Sequence, residues 1–384
     1  MKGFSSKIET VEEYYFSAKL REVSKMISEG KAVINLGIGS PDLAPDPKVI
    51  EAMKNTVDNT QSHGYQSYQG IPELRVSIAN YYQKSYGVSL DPNTEILPLM
   101  GSKEGIMHLS MTFLNPGDEV LIPNPGYPTY ASVTKLLEAS PVYYSLDLHK
   151  NGRPNLEELE SRDLSKVKLM WINYPHMPTG AKGSRIILEE LVAFAKKHQI
   201  VLLHDNPYSH ILTEEPLSIL SIPGAKDVAM ELNSLSKTFN MPGWRIGMLV
   251  GRADWLQKVL KVKSNMDSGM FLGLQKGAIT ALNLGQSWFD DLQELYGNRR
   301  KLVWKLADKL GLSYDQNSAG MFVWCKVPEG KTADEIVDHL LYEHHIFITP
   351  GRIFGPAGEN HVRISLCMPE FKILEAFHRI KTSS

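Results

Sequence analysis

Apolar positions along this chain fall into two kinds of period, and the two kinds alternate. From Thr10 to Gly30 they keep helical spacing (Val11, Tyr14, Tyr15, Ala18, Leu20, Val23, Ile27), and Gly30 offers a C-terminal stop. Short apolar runs bounded by turn residues predict strands at 94–100, 118–123, 141–146, 168–172, 200–205 and 228–232. Helices are expected between them, at 47–59, 101–114, 155–163, 186–197 and 253–264. Toward the C-terminus the rhythm changes. A long charged helix at 288–310 leads to strands at 319–326, 346–351 and 361–366 and helices at 333–343 and 369–382, a pattern suggesting a small α+β domain. In the strand at 361–366, alternation puts Val362, Ile364 and Leu366 on one face and Arg363 and Ser365 on the other.

Composition narrows the classes. A chain of 384 residues is long enough for two domains and a sizeable core. Its 41 basic and 43 acidic residues give a formal charge of −2, so neither a nucleic acid nor an anionic membrane is an expected partner. Two cysteines, Cys325 and Cys367, make no disulfide framework and no metal-ligand spacing, and no metal is expected. No apolar run approaches the roughly 18–20 residues of a membrane span. The N-terminal residues also lack a signal-peptide core, so a cytoplasmic location is expected.

The candidate chemistry centres on Ser234-Leu-Ser-Lys-Thr-Phe-Asn-Met-Pro-Gly-Trp-Arg-Ile-Gly247. Lys237 sits among turn-forming residues, in an expected loop leaving the strand at 228–232. A desolvated lysine loses its proton readily and becomes a Schiff-base nucleophile. Arg245, which stays charged, forks onto phosphate oxygens. The segment suits either a carbonyl-binding amine beside a phosphate cradle or an ordinary exposed polar loop. Other positions carry the same two-sided reading. Gly37 and Gly39 allow close backbone approach or make a simple turn. Gly101-Ser102-Lys103-Glu104-Gly105 opens a helix whose N-terminus suits an anion. Tyr127 is placed to stack on a flat ring or to fill a core. Asp205 ends a buried strand, where α/β sheets bind ligands and where aspartates also cap turns.

Ser-x-Ser-Lys-x-Phe followed by Gly-x-Arg-x-Gly resembles the cofactor-lysine segment of class I/II aminotransferases, the pyridoxal 5'-phosphate (PLP) enzymes of fold type I. The likeness covers most of the chain, with its motifs in the family's order. It implies an α/β fold: a large domain with a mostly parallel seven-stranded sheet flanked by helices, plus a smaller α+β domain. The expected division is 46–284 for the large domain and 285–384 for the small one, with an N-terminal arm and helix at 1–45 belonging to the latter. It implies that Lys237 carries PLP as a Schiff base and moves the substrate proton, and that Asp205 holds the pyridine nitrogen, which keeps the ring an electron sink. Tyr208 would bond the phenolic oxygen. Ser102 and Lys103 would hold the phosphate at the helix start beside Gly101, Ser234, Ser236 and Arg245 would anchor it as well, and Tyr127 would lie on the ring. Gly39 and Arg363 would meet the substrate carboxylate. Tyr65 would reach the phosphate of a partner subunit, making an obligatory homodimer with shared sites.

The chain departs from the family pattern at Asn173-Tyr-Pro-His-Met-Pro-Thr-Gly180. Most relatives read Asn-Pro-Thr-Gly, and that asparagine donates to the phenolic oxygen. Met177 stands in its place, and a thioether cannot donate. Asn173 or His176 substitutes, or the bond is absent. The segment at 265–275 contains no arginine, which argues against a dicarboxylate specialist, and its Asn-x-Asp-Ser-Gly-x-Phe together with Gly101-Ser-Lys-Glu-Gly105 resembles the branch with LL-diaminopimelate and alanine-type aminotransferases. Asp42 and Asp267 are candidate partners for a distal ammonium.

Other classes fit less well. Ser234-x-x-Lys237 matches the acylating motif of penicillin-binding proteins, but Ser-x-Asn and Lys-Thr-Gly occur nowhere in the chain. No Gly-x-Gly-x-x-Gly follows a strand, which disfavours a dinucleotide enzyme. Within the fold, the main expectation is an aminotransferase moving an amino group from an L-amino acid to a 2-oxo acid. A carbon–sulfur β-lyase and a catalytically silent PLP binder are the alternatives.

Overall fold

The computed structural model describes residues 3–380. Its strands, numbered along the chain, begin with β1 (Ile34–Asn35), β2 (Ile96–Leu99), β3 (Glu119–Asn124), β4 (Ser140–Asp147) and β5 (Arg153–Pro154). They continue with β6 (Val167–Ile172), β7 (Val201–Asp205), β8 (Ala229–Ser234) and β9 (Gly247–Gly251). The large sheet has the order β2-β9-β8-β7-β6-β3-β4-β5. Strands β4, β3, β6, β7 and β8 run parallel, while β9 lies antiparallel between β8 and β2. The expectation of seven strands is thus met by β2, β9, β8, β7, β6, β3 and β4. An eighth, the two-residue β5, pairs antiparallel with β4 and is too short for a periodic signal.

The central strands are apolar at nearly every position because helices cover both faces. Ile172, Leu121, Leu202 and Met248 pack into one apolar cluster, and Ile122, Trp171, Leu203 and Leu249 into another. Adjacent register pairs, Ile172 with His204 and Asp205 with Leu232, align the carboxyl ends of β6, β7 and β8. In parallel α/β sheets, ligands bind at this edge.

The predicted helices appear with ends shifted by a few residues. Three departures matter. Lys237 lies on a one-turn helix, Leu235–Thr238, rather than in a loop. The Ser234 hydroxyl caps it by accepting from the Ser236 backbone N–H at 3.1 Å. Helices Pro128–Leu136 and Leu272–Leu282 had no sequence expectation. The first starts on a proline after turn residues. The second is apolar with two glycines, so no polar face marks its period.

The C-terminal part forms an antiparallel sheet of β10 (Ser313–Tyr314), β11 (Phe322–Lys326), β14 (His361–Ser365) and β13 (Thr349–Pro350), in that order. The strand expected at 346–351 is split. Its first half, β12 (Ile346–Phe347), instead pairs parallel with β1 near the N-terminus. The core here joins Phe16, Ile34 and Leu36 to residues from Leu292 to Ile380. Arg299 adds a fork onto Asp42, with distances of 2.6 and 2.9 Å. The closing helix spans Glu370–Arg379, and residues 381–382 of the expected helix lie outside the described residues.

Candidate active site

A cleft of about 340 Å³ opens at the carboxyl ends of β6, β7 and β8, walled on its far side by β11, β14 and the N-terminal segment. Lys237, Asp205, Tyr208, Asn173, Met177, Ser102, Lys103, Tyr127, Ser234, Ser236, Arg245, Gly39 and Arg363 all line it.

The Lys237 ammonium donates to the Gly39 carbonyl at 2.5 Å. Burial lowers its pKa, and the nearby guanidiniums of Arg363 and Arg245 push the same way. Gly39 is small for a packing reason as well. A Cβ there would stand 2.2 Å from the Phe322 ring.

Asp205 is 6% exposed. Its Oδ2 accepts from the Tyr130 hydroxyl at 2.8 Å, while Oδ1 is buried with no partner. Burial raises the carboxyl pKa to about 6, against the Tyr130 bond, which lowers it. Tyr130 is fixed by stacking flat on Trp171, with centroids 4.7 Å apart.

The anion cradle is built around Gly101. It has φ +92°, and a Cβ there would come within 2.2 Å of Arg245 Nη2. Only glycine lets the guanidinium lie against the start of the helix Ser102–Phe113. Arg245 itself takes a left-handed conformation, φ +54°, uncommon for a non-glycine residue, and its Nη1 donates to the Pro242 carbonyl at 3.0 Å. The Ser234 and Ser236 hydroxyls lie 2.8 Å apart beside it. The Lys103 ammonium is directed elsewhere, over the rings of Tyr14 at 4.3 Å and Tyr127 at 6.0 Å.

Arg363 is buried, not the exposed rim residue common on half-buried strands. Phe322, Phe354 and Phe16 surround its guanidinium, at 3.9, 4.7 and 5.3 Å to their ring centroids. Nη2 donates to the Gly37 carbonyl at 2.7 Å, Nη1 lies 3.4 Å from Met177 Sδ, and Nε has no partner. Burial pulls its pKa down to about 10, and no described carboxylate pairs with it. It remains a cation at neutral pH with capacity for an anion.

Of the two substitutes considered for the missing asparagine donor, Asn173 lines the cleft and keeps a second amide N–H, while His176 lies outside it. The Asn173 amide donates to the Asp205 carbonyl at 2.6 Å and accepts from the Met177 N–H at 2.7 Å. His176 is buried against Thr179, 2.8 Å from its hydroxyl, and does not line the cleft. The candidate ammonium partners are committed elsewhere. Asp42 is forked by Arg299, and Asp267 pairs with the buried Lys263 at 2.9 Å. Tyr65 is outside the cleft and 93% exposed. Sequence reasoning missed Tyr130 and the walls made by Tyr14, Phe16, Ile38 and Phe322. Tyr130 lies one helical turn past Tyr127, a spacing that would have flagged it.

The cleft meets the demands of a phosphorylated pyridine aldehyde. A cradle that a Cβ would fill suits a phosphate, a buried unpaired carboxylate oxygen suits a ring nitrogen, and an amine suits a carbonyl carbon. Comparison with known proteins agrees. The family described as "Aminotransferase class I and II" matches residues 31–380. The LL-diaminopimelate aminotransferase of Aquifex aeolicus is 41% identical over 380 residues, 98% of each chain. That of Halothermothrix orenii is 39% identical over 381 residues, 99% of this chain and 98% of its own. Among solved structures, substrate-bound BacF of Bacillus subtilis superposes with a TM-score of 0.95 at 35% identity, covering 99% of this chain and 97% of its own.

The chain belongs to the class I and II aminotransferases. It is a PLP-dependent enzyme of fold type I that transfers amino groups.

Proposed function

We propose that this chain transaminates an L-amino acid with a 2-oxo acid, using Lys237 as its proton-moving base and the cleft residues in the roles given below. The observation that carries the reading is the placement of Lys237, with its depressed pKa, in one cleft with the unpaired Asp205 Oδ1 and the unpaired Arg363.

PLP, when bound, would supply a conjugated ring that takes up the electron pair left at the substrate Cα. Gly101, Ser102, Ser234, Ser236 and Arg245 would hold its phosphate, Tyr127 would lie on its ring, and Tyr208 would face its phenolic oxygen. Asp205 Oδ1 would accept the pyridine N–H, with Tyr130 and Asn173 fixing the carboxylate and its strand end. Arg363 would orient the substrate carboxylate. Lys237 Nζ, whose burial favours the uncharged amine, would accept the Cα proton and later return it. Residues 1–45 and 285–384 form the smaller unit in this reading and 46–284 the larger one.

The same reading makes the enzyme a cytoplasmic homodimer with shared sites. A fully exposed phenol at Tyr65 supports it. So does the adjacent segment, where Gly269 packs on the Gln66 carbonyl and Met266 is 59% exposed. Large exposed side chains on two touching loops suit a partner surface.

The test is the visible absorbance of the purified protein with PLP, before and after single amino acids. Loss of the visible band with one amino acid, and its return with a 2-oxo acid, supports transamination. Pyruvate and ammonia released from a cysteine-type substrate assign the lyase instead. A band that no amino acid moves overturns the proposal.

A further inference from the structure

Met177 brings a thioether against the guanidinium of Arg363. Its side chain lines the cleft at 6% exposure, and its Sδ lies 3.4 Å from Arg363 Nη1. Sulfur in this state is a weak acceptor. Elsewhere on the guanidinium, Nη2 is taken by the Gly37 carbonyl at 2.7 Å, and Nε is buried without a partner. The weakness of the sulfur contact is what leaves Nη1 open to an incoming carboxylate.

That opening depends on the oxidation state of the sulfur. Hydrogen peroxide converts a thioether into a sulfoxide. A lone pair of Sδ attacks one peroxide oxygen, the S–O bond forms as the O–O bond breaks, and the sulfur gives up two electrons. The departing hydroxide takes the proton of the transferred hydroxyl and leaves as water. A flexible apolar side chain thereby becomes a polar one. Its new oxygen is buried and needs a donor, and the neighbouring donor is a cation whose hydrogen bonds are the strong, charge-assisted kind. A sulfoxide on Met177 therefore holds Nη1 as the thioether does not.

We propose that Met177 is an oxidation site, and that its sulfoxide occupies Arg363 Nη1 and weakens the grip on substrate carboxylates. The inference rests on the reading of Arg363 as the carboxylate anchor. Most members of the family carry at this position the asparagine of Asn-Pro-Thr-Gly, which has no sulfur to oxidise. The sensitivity thus belongs to this chain's own residue rather than to the fold.

The experiment treats the PLP-loaded enzyme with hydrogen peroxide and follows it by peptide mass spectrometry, by the visible band, and by KM for an amino acid that the untreated enzyme converts. One added oxygen on Met177 is expected, with KM raised at least about tenfold and the band retained. Methionine sulfoxide reductases with a thiol reductant should reverse both changes together. Met177→Leu conserves volume and keeps the exposed Met266 and Met111 and both cysteines, so it should hold its own KM through the same treatment. In Arg363→Ala, oxidation of Met177 should add nothing to a KM already raised. The proposal is overturned by a KM that rises equally in Met177→Leu, by an oxidised Met177 with KM unmoved, or by a Met177 that stays unoxidised where Met266 is fully converted. If Met177→Leu does not fold, the parent decides, since oxygen gain at Met177 and the rise in KM must then advance and reverse in step. An unchanged KM in untreated Arg363→Ala overturns the anchor reading and this inference with it.

Discussion

Tyr130 donates its hydroxyl to Asp205 Oδ2 at 2.8 Å and leaves Oδ1 of the same carboxylate without a partner. The aspartate is thus held from one side and open on the other. Tyr130→Phe removes the one side-chain bond to a buried carboxylate, a change worth about 1–3 kcal/mol. Weaker PLP retention by roughly tenfold is expected from the low end of that range. The acid limb of the pH–rate profile should also move upward, because the Tyr130 bond lowers the Asp205 pKa. Equilibrium dialysis of PLP and the profile itself check both. Unchanged retention and an unmoved limb would detach Tyr130 from Asp205's function.

Asp205 also sets a stability term in cofactor-stripped protein. Burial raises its pKa from 3.8 to about 6. A carboxyl raised in the folded state binds its proton more tightly there than in the unfolded chain. Its contribution is therefore fully present below about pH 4 and lost as the pH climbs through about 6. Asp205→Asn should make the stripped protein more stable than the parent at pH 7, by roughly 1–3 kcal/mol, with the difference vanishing near pH 4. Thermal unfolding at the two pH values is the check. A variant no more stable at pH 7 would show that the carboxylate is not penalised by its burial.

Arg363 faces the cleft as an unneutralised guanidinium in an aromatic cage. In Arg363→Ala, KM should rise for every amino acid by roughly 10- to 100-fold, the worth of a lost charge-assisted bond of about 1.5–3 kcal/mol. The visible PLP band should persist, because in the proposed arrangement the residue would meet substrate and not cofactor. An unchanged KM would remove Arg363 from the site.

At position 177 a thioether stands where the family donates a hydrogen bond. With His176 outside the cleft, the phenolic oxygen of PLP would have Tyr208 and the second N–H of Asn173 as its side-chain donors. Met177→Asn should restore a donor to the phenolate and lower the pH at which the Schiff-base band loses its proton, by about one unit. A spectrophotometric pH titration reads this directly, and an unmoved midpoint would mean another donor already serves the oxygen.

The proposed sharing of sites between subunits can be tested by complementation. Lys237→Ala and Tyr65→Ala homodimers should each be nearly inert. Subunits exchanged between them form hybrid dimers in which one site carries both defects and the other carries neither. Mixing should therefore restore activity. If the mixture stays inert while exchange is demonstrated, Tyr65 does not act across the interface.

Strand and helix existence was readable from period and punctuation, because the β6–β8 strands are buried on both faces and keep continuous apolar runs. Motif order made Lys237, Asp205, Arg245 and Arg363 readable as well. What stayed hidden was local and depended on partners distant in sequence. The helix at Leu272–Leu282 has no polar stripe to reveal its period. The roles of Asp42 and Asp267 depended on Arg299 and Lys263, whose approach no spacing encodes. The aromatic wall depended on an N-terminal segment folding back against the C-terminal part, which the pairing of β1 with β12 and the Arg363–Gly37 bond disclose.

That pairing bears on the catalytic amine. Gly39 belongs to a stretch anchored by β12, Arg299 and Thr349 to the C-terminal core, while Lys237 stands on the one-turn helix that follows β8 of the large sheet. The 2.5 Å bond between them is a latch across a seam. Where that bond holds, the proton affinity of the amine is tied to how closely the Gly39 stretch lies against the turn of helix that carries Lys237.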